Sequence, residues 1–557
     1  MHLADIVKRL DAGTPGRISS VYNNEWRVRT GPEIADDVRG FARTLEALGV
    51  VAGMRIGIAA VISYEWVVAD LALMELGCVS LAIPESMDEN LEPIAERFGL
   101  ALVIVDGMGS MESEPSWMVR IRGGGASQAA KATRVGAVRL PVPEARETPS
   151  LVFSSGSSGR LKCLRISRAG IENVVRRFVA AYGLCAGDAA LVFLPLSNVQ
   201  QRVIVYGALW FGLEAVVVSP AALFRALRDR RPTVVIGPPL LFETVHARYL
   251  DAPLPRRAAA VAVAALARRL PVRGRRALLR RTFGEVHERF GGRLRLAITG
   301  MAQIRESTLE FFAMIGLPLF EAYGLTECGI VAGNRPGAAR IGAVGRPFEP
   351  GAVTTTADGE ILVRSETPLA TGYHDEPDGA DTFADGSLIR TGDMGRFDGD
   401  GYLYLYGRKK EIIVTAGGFK IHPEVVESGL NECALVDRSA AFGGEPAADL
   451  TAVVTVRRMV SDEDIRTLEE HARRIGSRLP HGVRLRTVVV SEVAFSVDAG
   501  TLTRNLKLDR ARIYREYRDR LAGMTGVVVV RSSNPGLVDP APGTGPISDQ
   551  PAPGCPM

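Results

Sequence analysis

Over most of the chain, short apolar runs alternate with stretches in which apolar residues recur every three or four positions. That rhythm predicts layered α/β structure. RIGIAAV at 55–61 predicts a strand, and EWVVADLALMELG at 65–77 an amphipathic helix closed by a glycine. CVSLAIP, ALVIVDG (101–107), AALVFLP (189–195), VVIGPP (234–239) and LRLAITG (294–300) read as further strands. Residues 106–149, rich in Gly, Ser and Pro, predict an irregular surface excursion. AAAVAVAALA at 258–267 is about half the length a bilayer span requires and is flanked by arginines. It predicts a buried or partly buried helix in preference to a membrane-surface one.

Past about residue 340 the pattern changes. GEILVRS, GYLYLYGR and EIIVTAGG alternate as strands do, with turn signals such as DGDG between them. From about 409 a small α+β unit follows, with VVESGLNE and DIRTLEEHARRIGSRL as helices and TAVVTV and LRTVVVS as strands. Residues 531–557 hold seven prolines and four glycines in 27 positions, which predicts a disordered tail.

Composition narrows the class. The 557 residues allow two or three domains, and 46% hydrophobic with 23% charged residues is ordinary for a soluble globular chain. A net charge of +4 gives no reason to expect nucleic acid or an anionic membrane as partner. The six cysteines are scattered, with no CxxC pair, so neither a disulfide framework nor a zinc site is expected. The N-terminus MHLADIVKRLDAG lacks the apolar core of a signal peptide, and a cytoplasmic location with no membrane span is expected. Only seven residues are lysine (8, 131, 162, 409, 410, 420 and 507) against 60 arginines, so each compact ammonium draws notice.

One of them, Lys162, follows the loop FSSGSSGR, which lies between an apolar strand and a helical pattern with Ser167 at its start. Small residues let backbone N–H groups approach an anion, and hydroxyls add donors. The loop is not a Walker sequence, and alone it reads equally well as a flexible turn or a phosphate cradle. It has companions in order along the chain: EAYGLTECG (321–329), RTGDMGRFDGDGYLYLYGRKKEIIVTAGGFKIHPEVVE (390–427) and TLTRNLK (501–507).

Together these segments closely resemble the ordered motifs of the adenylate-forming superfamily, over roughly residues 20 to 520. FLPLSNVQQR (193–202) and LTRNLKLDR further resemble its long-chain acyl-CoA synthetase branch. The resemblance implies an α/β fold. A large N-terminal domain of αβαβα layers with a β-rich subdomain (1–408) would bind AMP and the acyl group. A small mobile α+β C-terminal domain (409–522) would carry the catalytic lysine, ahead of a disordered Pro/Gly-rich tail (523–557).

It also implies roles. Ser154, Ser155, Gly156, Ser157, Ser158, Gly159 and Lys162 would hold the β- and γ-phosphates of ATP. Gly300, Met301, Ala302, Glu321 and Ala322 would border the nucleotide, with Tyr323 against adenine. Thr326 would bond the α-phosphate, and Glu327 would hold Mg2+, a hard ion that prefers oxygen. Asp393 would accept from the ribose hydroxyls beside Arg408, and Lys507 would stabilise the adenylation transition state. Rotation of the small domain about a hinge at exposed Lys409 would open a channel for coenzyme A, lined by Gly417, Gly418 and Phe419. Those glycines read alternatively as a simple β-turn. Asn198 and Val199 would stand at the entrance to the acyl pocket.

Departures from the family pattern fall on the ATP side. Cys163 replaces a glycine in the loop, and Met301 replaces one in a segment that is usually Gly-Gly-Ala-Pro. Arg504 and Asn505 stand where Pro-Thr is usual; apart from these, Asn198 replaces a histidine at the entrance to the acyl channel. The expected activity is ligation of a hydrophobic carboxylic acid to CoA through an acyl-AMP. Three alternatives stand beside it. The chain could be a half-enzyme that thioesterifies a preformed acyl-adenylate from a partner ligase, as in divided ligases of bacterial diterpenoid-antibiotic pathways. It could also be an acyl-AMP ligase for a carrier protein, or a non-catalytic acyl- or nucleotide-binding protein.

Overall fold

The computed structural model describes residues 1–530 apart from 88–89, 107–116, 123–124, 127–136, 156–160, 375–380, 416–417, 444–448, 481–482, 503–507 and 524–525. The chain divides into two compact units, Met1–Ile412 and Ile413 onward, four residues later than the boundary expected from sequence.

In the first unit the predicted apolar strands pair in parallel, which explains why they read as continuous hydrophobic runs and not as alternating ones. One sheet runs, edge to edge, through Arg346–Pro347, Gly329–Gly333, Leu319–Leu325, Leu296–Thr299, Val234–Gly237, Ala189–Val192, Glu214–Val217, Arg17–Tyr22 and Glu25–Arg29. A second runs through Ala370–Tyr373, Leu161–Ile166, Ser150–Ser155, Val79–Ala82, Arg55–Ala59, Leu102–Val105, Met118–Arg122 and Gly125–Ala126. Helices Gly31–Ala47, Tyr64–Leu76, Arg168–Tyr182 and Val199–Phe211 supply side chains to the main core, whose members include Trp66, Phe178 and Tyr206. A smaller antiparallel sheet of Val353–Thr355, Glu360–Arg364, Leu388–Phe397 and Leu403–Arg408 forms the β-rich portion.

Local chemistry sets the element ends. Ser167 accepts from the Gly170 N–H and starts the helix after the Ser/Gly loop, as the sequence predicts. Gly77, at φ 70°, closes the helix Tyr64–Leu76.

The main core also holds an ionic cluster. Arg202 is fully buried, 2.7 Å from Asp70 and 2.7 Å from the Ser150 hydroxyl, with Trp66 below its guanidinium. Tyr206 donates to the other oxygen of Asp70.

In the second unit, Val436–Gly443, Asp449–Val456, Arg484–Ser491 and Gly526–Val530 form one sheet. Helices Pro423–Asn431 and Asp462–Gly476 help build one core there, and helix Arg510–Gly523 helps build another.

Two expectations need correction. The excursion at 106–149 contains a paired strand, Met118–Arg122, and a helix, Val142–Glu147. The tail expected to be disordered from 523 includes the strand Gly526–Val530, paired in parallel with Arg484–Ser491; residues 531–557 lie outside the described residues. The apolar run at 258–267 lies in the helix Leu254–Ala267, partly buried as expected: Ala260, Ala264 and Ala267 turn inward, while Leu254 is 74% and Val261 55% exposed.

Candidate active site

The segment EAYGLTE bends from one strand into the next. Leu319–Leu325 pairs antiparallel with Gly329–Gly333, and the register slips between Tyr323 and Gly324. Gly324 is required there, because a Cβ would come within 2.2 Å of the Gly329 carbonyl oxygen. The bend aims the Tyr323 hydroxyl at Asp393, to which it donates at 2.8 Å. Asp393 pairs across its sheet with Arg408, whose Nε lies 2.7 Å from the second carboxylate oxygen. The Thr391 hydroxyl accepts from the Asp393 N–H at 3.1 Å. Burial, followed by the neighbouring Asp393 carboxylate, holds the Tyr323 phenol well above its ordinary pKa, so Tyr323 stays a donor. An ionised carboxylate has two lone pairs on each oxygen, so Asp393 can serve several donors at once. The Tyr323 ring itself is buried with Cys328, Val331 and Leu403, as a core aromatic is.

Lys162 and Glu327 meet at a residue that the motifs did not mark. Strand Ala370–Tyr373 pairs with Leu161–Ile166, and Tyr373 comes opposite Leu164. The Lys162 ammonium lies 4.7 Å from the centre of the Tyr373 ring, while the Tyr373 hydroxyl donates to Glu327 at 3.2 Å. Burial pushes the Glu327 carboxyl up, opposed by its own N–H and the Tyr373 hydroxyl. Thr326 is half-buried one residue before it. Among the described residues no three His, Cys, Asp or Glu side chains gather as a metal cluster. A lone buried carboxylate fits a cation that arrives already coordinated by nucleotide phosphates, as Mg2+ does.

Glu321 sits at the start of the same bend. Its buried Oε2 has no partner, and burial with nearby Glu306 raises the carboxyl to about 8. The folded chain therefore keeps a proton that the unfolded chain releases above its ordinary value of 4.5. Stability contributed by that proton is present at low pH and is lost as pH rises through about 8. Glu321→Gln, neutral throughout, removes the dependence. Between about pH 5 and about pH 8 the wild-type melting temperature is expected to fall more than that of the variant, as measured by circular dichroism.

Other expected site residues have structural surroundings of their own. Cys163 points into an apolar cluster with Val79, Leu81 and Leu151, away from the Lys162 side of its strand, so that departure fills core and does not crowd the loop. Asn198 caps the helix Val199–Phe211 by accepting from the Gln200 N–H at 3.0 Å, and Val199 is fully buried in the main core. Lys409 is exposed, as expected, and ion-paired to Asp358 and Glu360, each at 2.9 Å, three residues before the end of the first unit. Gly418 turns a hairpin between Ile413–Val414 and Lys420–Ile421 at φ 76°, with Phe419 39% exposed beside it. Ser154 is buried on its strand; of Ser155 the strand position alone is described. Gly156, Ser157, Ser158, Gly159, Gly417, Arg504, Asn505 and Lys507 lie outside the described residues.

Gly300 abuts the Ala322 carbonyl, which a Cβ would meet at 2.8 Å, and Ala302 follows Met301 on the surface. Met301 stands at φ 71°, a left-handed conformation that costs a non-glycine residue about 1–2 kcal/mol.

Comparison with known proteins agrees with this geometry. Residues 7–374 match the family described as AMP-binding enzyme. The long-chain-fatty-acid–CoA ligase FadD15 of Mycobacterium bovis is 28% identical, over 88% of this chain and 91% of its own. Human long-chain-fatty-acid–CoA ligase 1 is 25% identical over 70% of this chain and 63% of its own. Among solved structures, the anthranilate CoA ligase AuaEII in complex with anthranoyl-AMP superposes with a TM-score of 0.70. It is 20% identical, over 94% of this chain and 97% of its own. ATP-bound MatB from Rhodopseudomonas palustris gives the same TM-score and identity over 94% of this chain and 100% of that one. The carboxylate clamp of Asp393, the Lys162–Tyr373–Glu327 contact and these likenesses together identify the chain as a member of the AMP-binding enzyme family of adenylate-forming enzymes, on the acyl-CoA synthetase branch.

Proposed function

We propose that the enzyme activates a hydrophobic carboxylic acid with ATP and passes the acyl group to coenzyme A. The observation that carries this reading is the buried Asp393, held by Arg408 and Tyr323 as a carboxylate, the group that accepts from the two hydroxyls of a sugar diol. Carboxylate attack on an α-phosphate sets anion against anion, so a site for it must neutralise charge and hold the approach in line. Lys162 supplies one cation, kept in place by the Tyr373 ring. Thr326 would orient the α-phosphate, and Lys507 would complete the charge at the reacting oxygens. Glu327 would hold Mg2+, which supplies Lewis-acid polarisation of the phosphate oxygens when bound. Gly418 and Phe419 would border the path of the thiol. The relatives named as long-chain fatty-acid ligases support a bulky aliphatic acid as substrate. Mixing such an acid with ATP and Mg2+ is expected to release pyrophosphate, with acyl-CoA accumulating once CoA is added. Absence of both products across a panel of acids overturns the reading.

One observation favours a second reading. Met301 holds a left-handed conformation, with its side chain 37% exposed, where the family pattern has glycine beside adenine. A side chain at that point would weaken binding of any adenine nucleotide, a loss that the acyl group of a preformed acyl-adenylate from a partner ligase would offset and ATP would not. In that case no pyrophosphate appears, supplied acyl-adenylate with CoA still yields thioester, and Met301→Gly raises adenylation. Unchanged adenylation in the Met301→Gly variant removes this second reading. Cys163→Gly is not an equivalent probe, because it empties core volume.

A further inference from the structure

The helices Leu254–Ala267 and Val272–Thr282 pack against each other at the edge of the first unit. The first turns Ala260, Ala264 and Ala267 inward, at the spacing of one helical stripe. Its outward half carries Leu254, Val261 and Leu266 with alanines between them and no polar side chain from Ala258 to Leu266. Leu266 is 55% and Val272 69% exposed. A surface helix ordinarily reverses this, with its polar residues outward, so an aliphatic face turned to water calls for a covering partner.

The charge around the face says which partner. Nine arginines lie between residues 256 and 281, and no Asp or Glu occurs from 252 to 284. Eight of the nine are exposed, in a chain whose net charge is only +4. Aliphatic side chains ringed by guanidinium groups match the boundary between acyl chains and anionic headgroups, where Arg stems lie along apolar matter and their heads reach phosphate. A second copy of the chain would bring nine more positive charges against these nine. Duplex nucleic acid would satisfy the arginines while leaving Leu254 and Val272 in water.

We propose that this helix pair is a docking surface for anionic lipid bilayers, holding the enzyme at a membrane face without spanning it. No helix among the described residues is long and apolar enough to cross a membrane. The overall charge balance concealed this surface, because acidic residues elsewhere in the chain offset the local cluster.

Sedimentation of the full chain with vesicles tests the proposal. Vesicles of phosphatidylglycerol mixed with phosphatidylcholine are expected to bring down the protein at low salt, and pure phosphatidylcholine vesicles far less. Val261→Asp with Leu266→Asp places charge on the exposed apolar face and is expected to lower the partition coefficient roughly tenfold or more. Arg268→Gln with Arg269→Gln is expected to lower it by a similar factor and to flatten its dependence on salt. Both variants should keep the wild-type melting temperature, since the altered side chains are exposed. Failure of the wild type to bind anionic vesicles overturns the proposal, as does binding that both variants retain. Concentration-dependent dimers abolished by Val261→Asp, without lipid binding, assign the face to a second copy instead. Capture of duplex DNA without vesicle binding likewise overturns it.

Discussion

Replacing Asp393 with Asn is expected to lower ATP-dependent acyl-AMP formation about a hundredfold, with a rise in the KM for ATP as part of the loss. The carboxamide nearly preserves shape, so the effect isolates charge and acceptor capacity. Asp393 balances the Arg408 guanidinium at 2.7 Å and accepts from a tyrosine whose proton is held firmly by burial. Removing one member of such a hydrogen-bonded charge pair costs about 2–5 kcal/mol, and Arg408, at 35% exposure, recovers part of that from water. A pyrophosphate-release assay over a range of ATP concentrations reads both quantities. The proposed role of Asp393 as the ribose acceptor fails if the variant keeps the wild-type KM for ATP. Thioester formation from supplied acyl-adenylate reports whether loss in the first step extends to the second.

The largest expected change in stability comes from Arg202→Met. The guanidinium is fully buried, and burial opposes its charge, but Asp70 and Tyr206 more than offset that and keep it protonated. Methionine fills much of the same space, so little cavity results. What remains is a buried Asp70 carboxylate that has lost its counter-ion, at a cost of about 3–5 kcal/mol. A clear drop in thermal midpoint is therefore expected for the single variant. Adding Asp70→Asn should recover much of the loss, because a neutral pair has no uncompensated charge. A single variant that melts with the wild type shows that water or another cation reaches Asp70.

The strands of the first unit were readable because parallel pairing with helices on both faces demands unbroken apolar runs. AALVFLP and LRLAITG contain the buried strands Ala189–Val192 and Leu296–Thr299. Motif residues were readable where chemistry restricts the choice, as at Tyr323, Asp393 and Arg408. At 254–267 the partly buried helix was readable but not its inward face, because alanine is neutral about burial. Its periodicity identifies a helix, while the three alanines that turn inward look like those that do not. The strand Gly526–Val530 lay hidden beside a Pro-rich tail, although GVVVV is a strand sequence. Tyr373 had no local signature at all. Its role depends on a sheet pairing with Leu164, a long-range contact that spacing along the chain does not encode. Asn198 was readable as a helix cap from its position before VQQR, but the family pattern drew attention to the substrate channel instead.

Tyr373 lies between Lys162 and Glu327, the residues proposed to meet the phosphates and Mg2+, touching one with its ring face and the other with its hydroxyl. A resting pocket with two opposite charges so near each other would otherwise tend to close on itself as a direct ion pair. The phenol stands as a spacer, giving each a weak partner that, on the proposed function, an incoming magnesium–nucleotide would displace. Readiness to bind would then be maintained by one aromatic residue that need take no part in the chemistry.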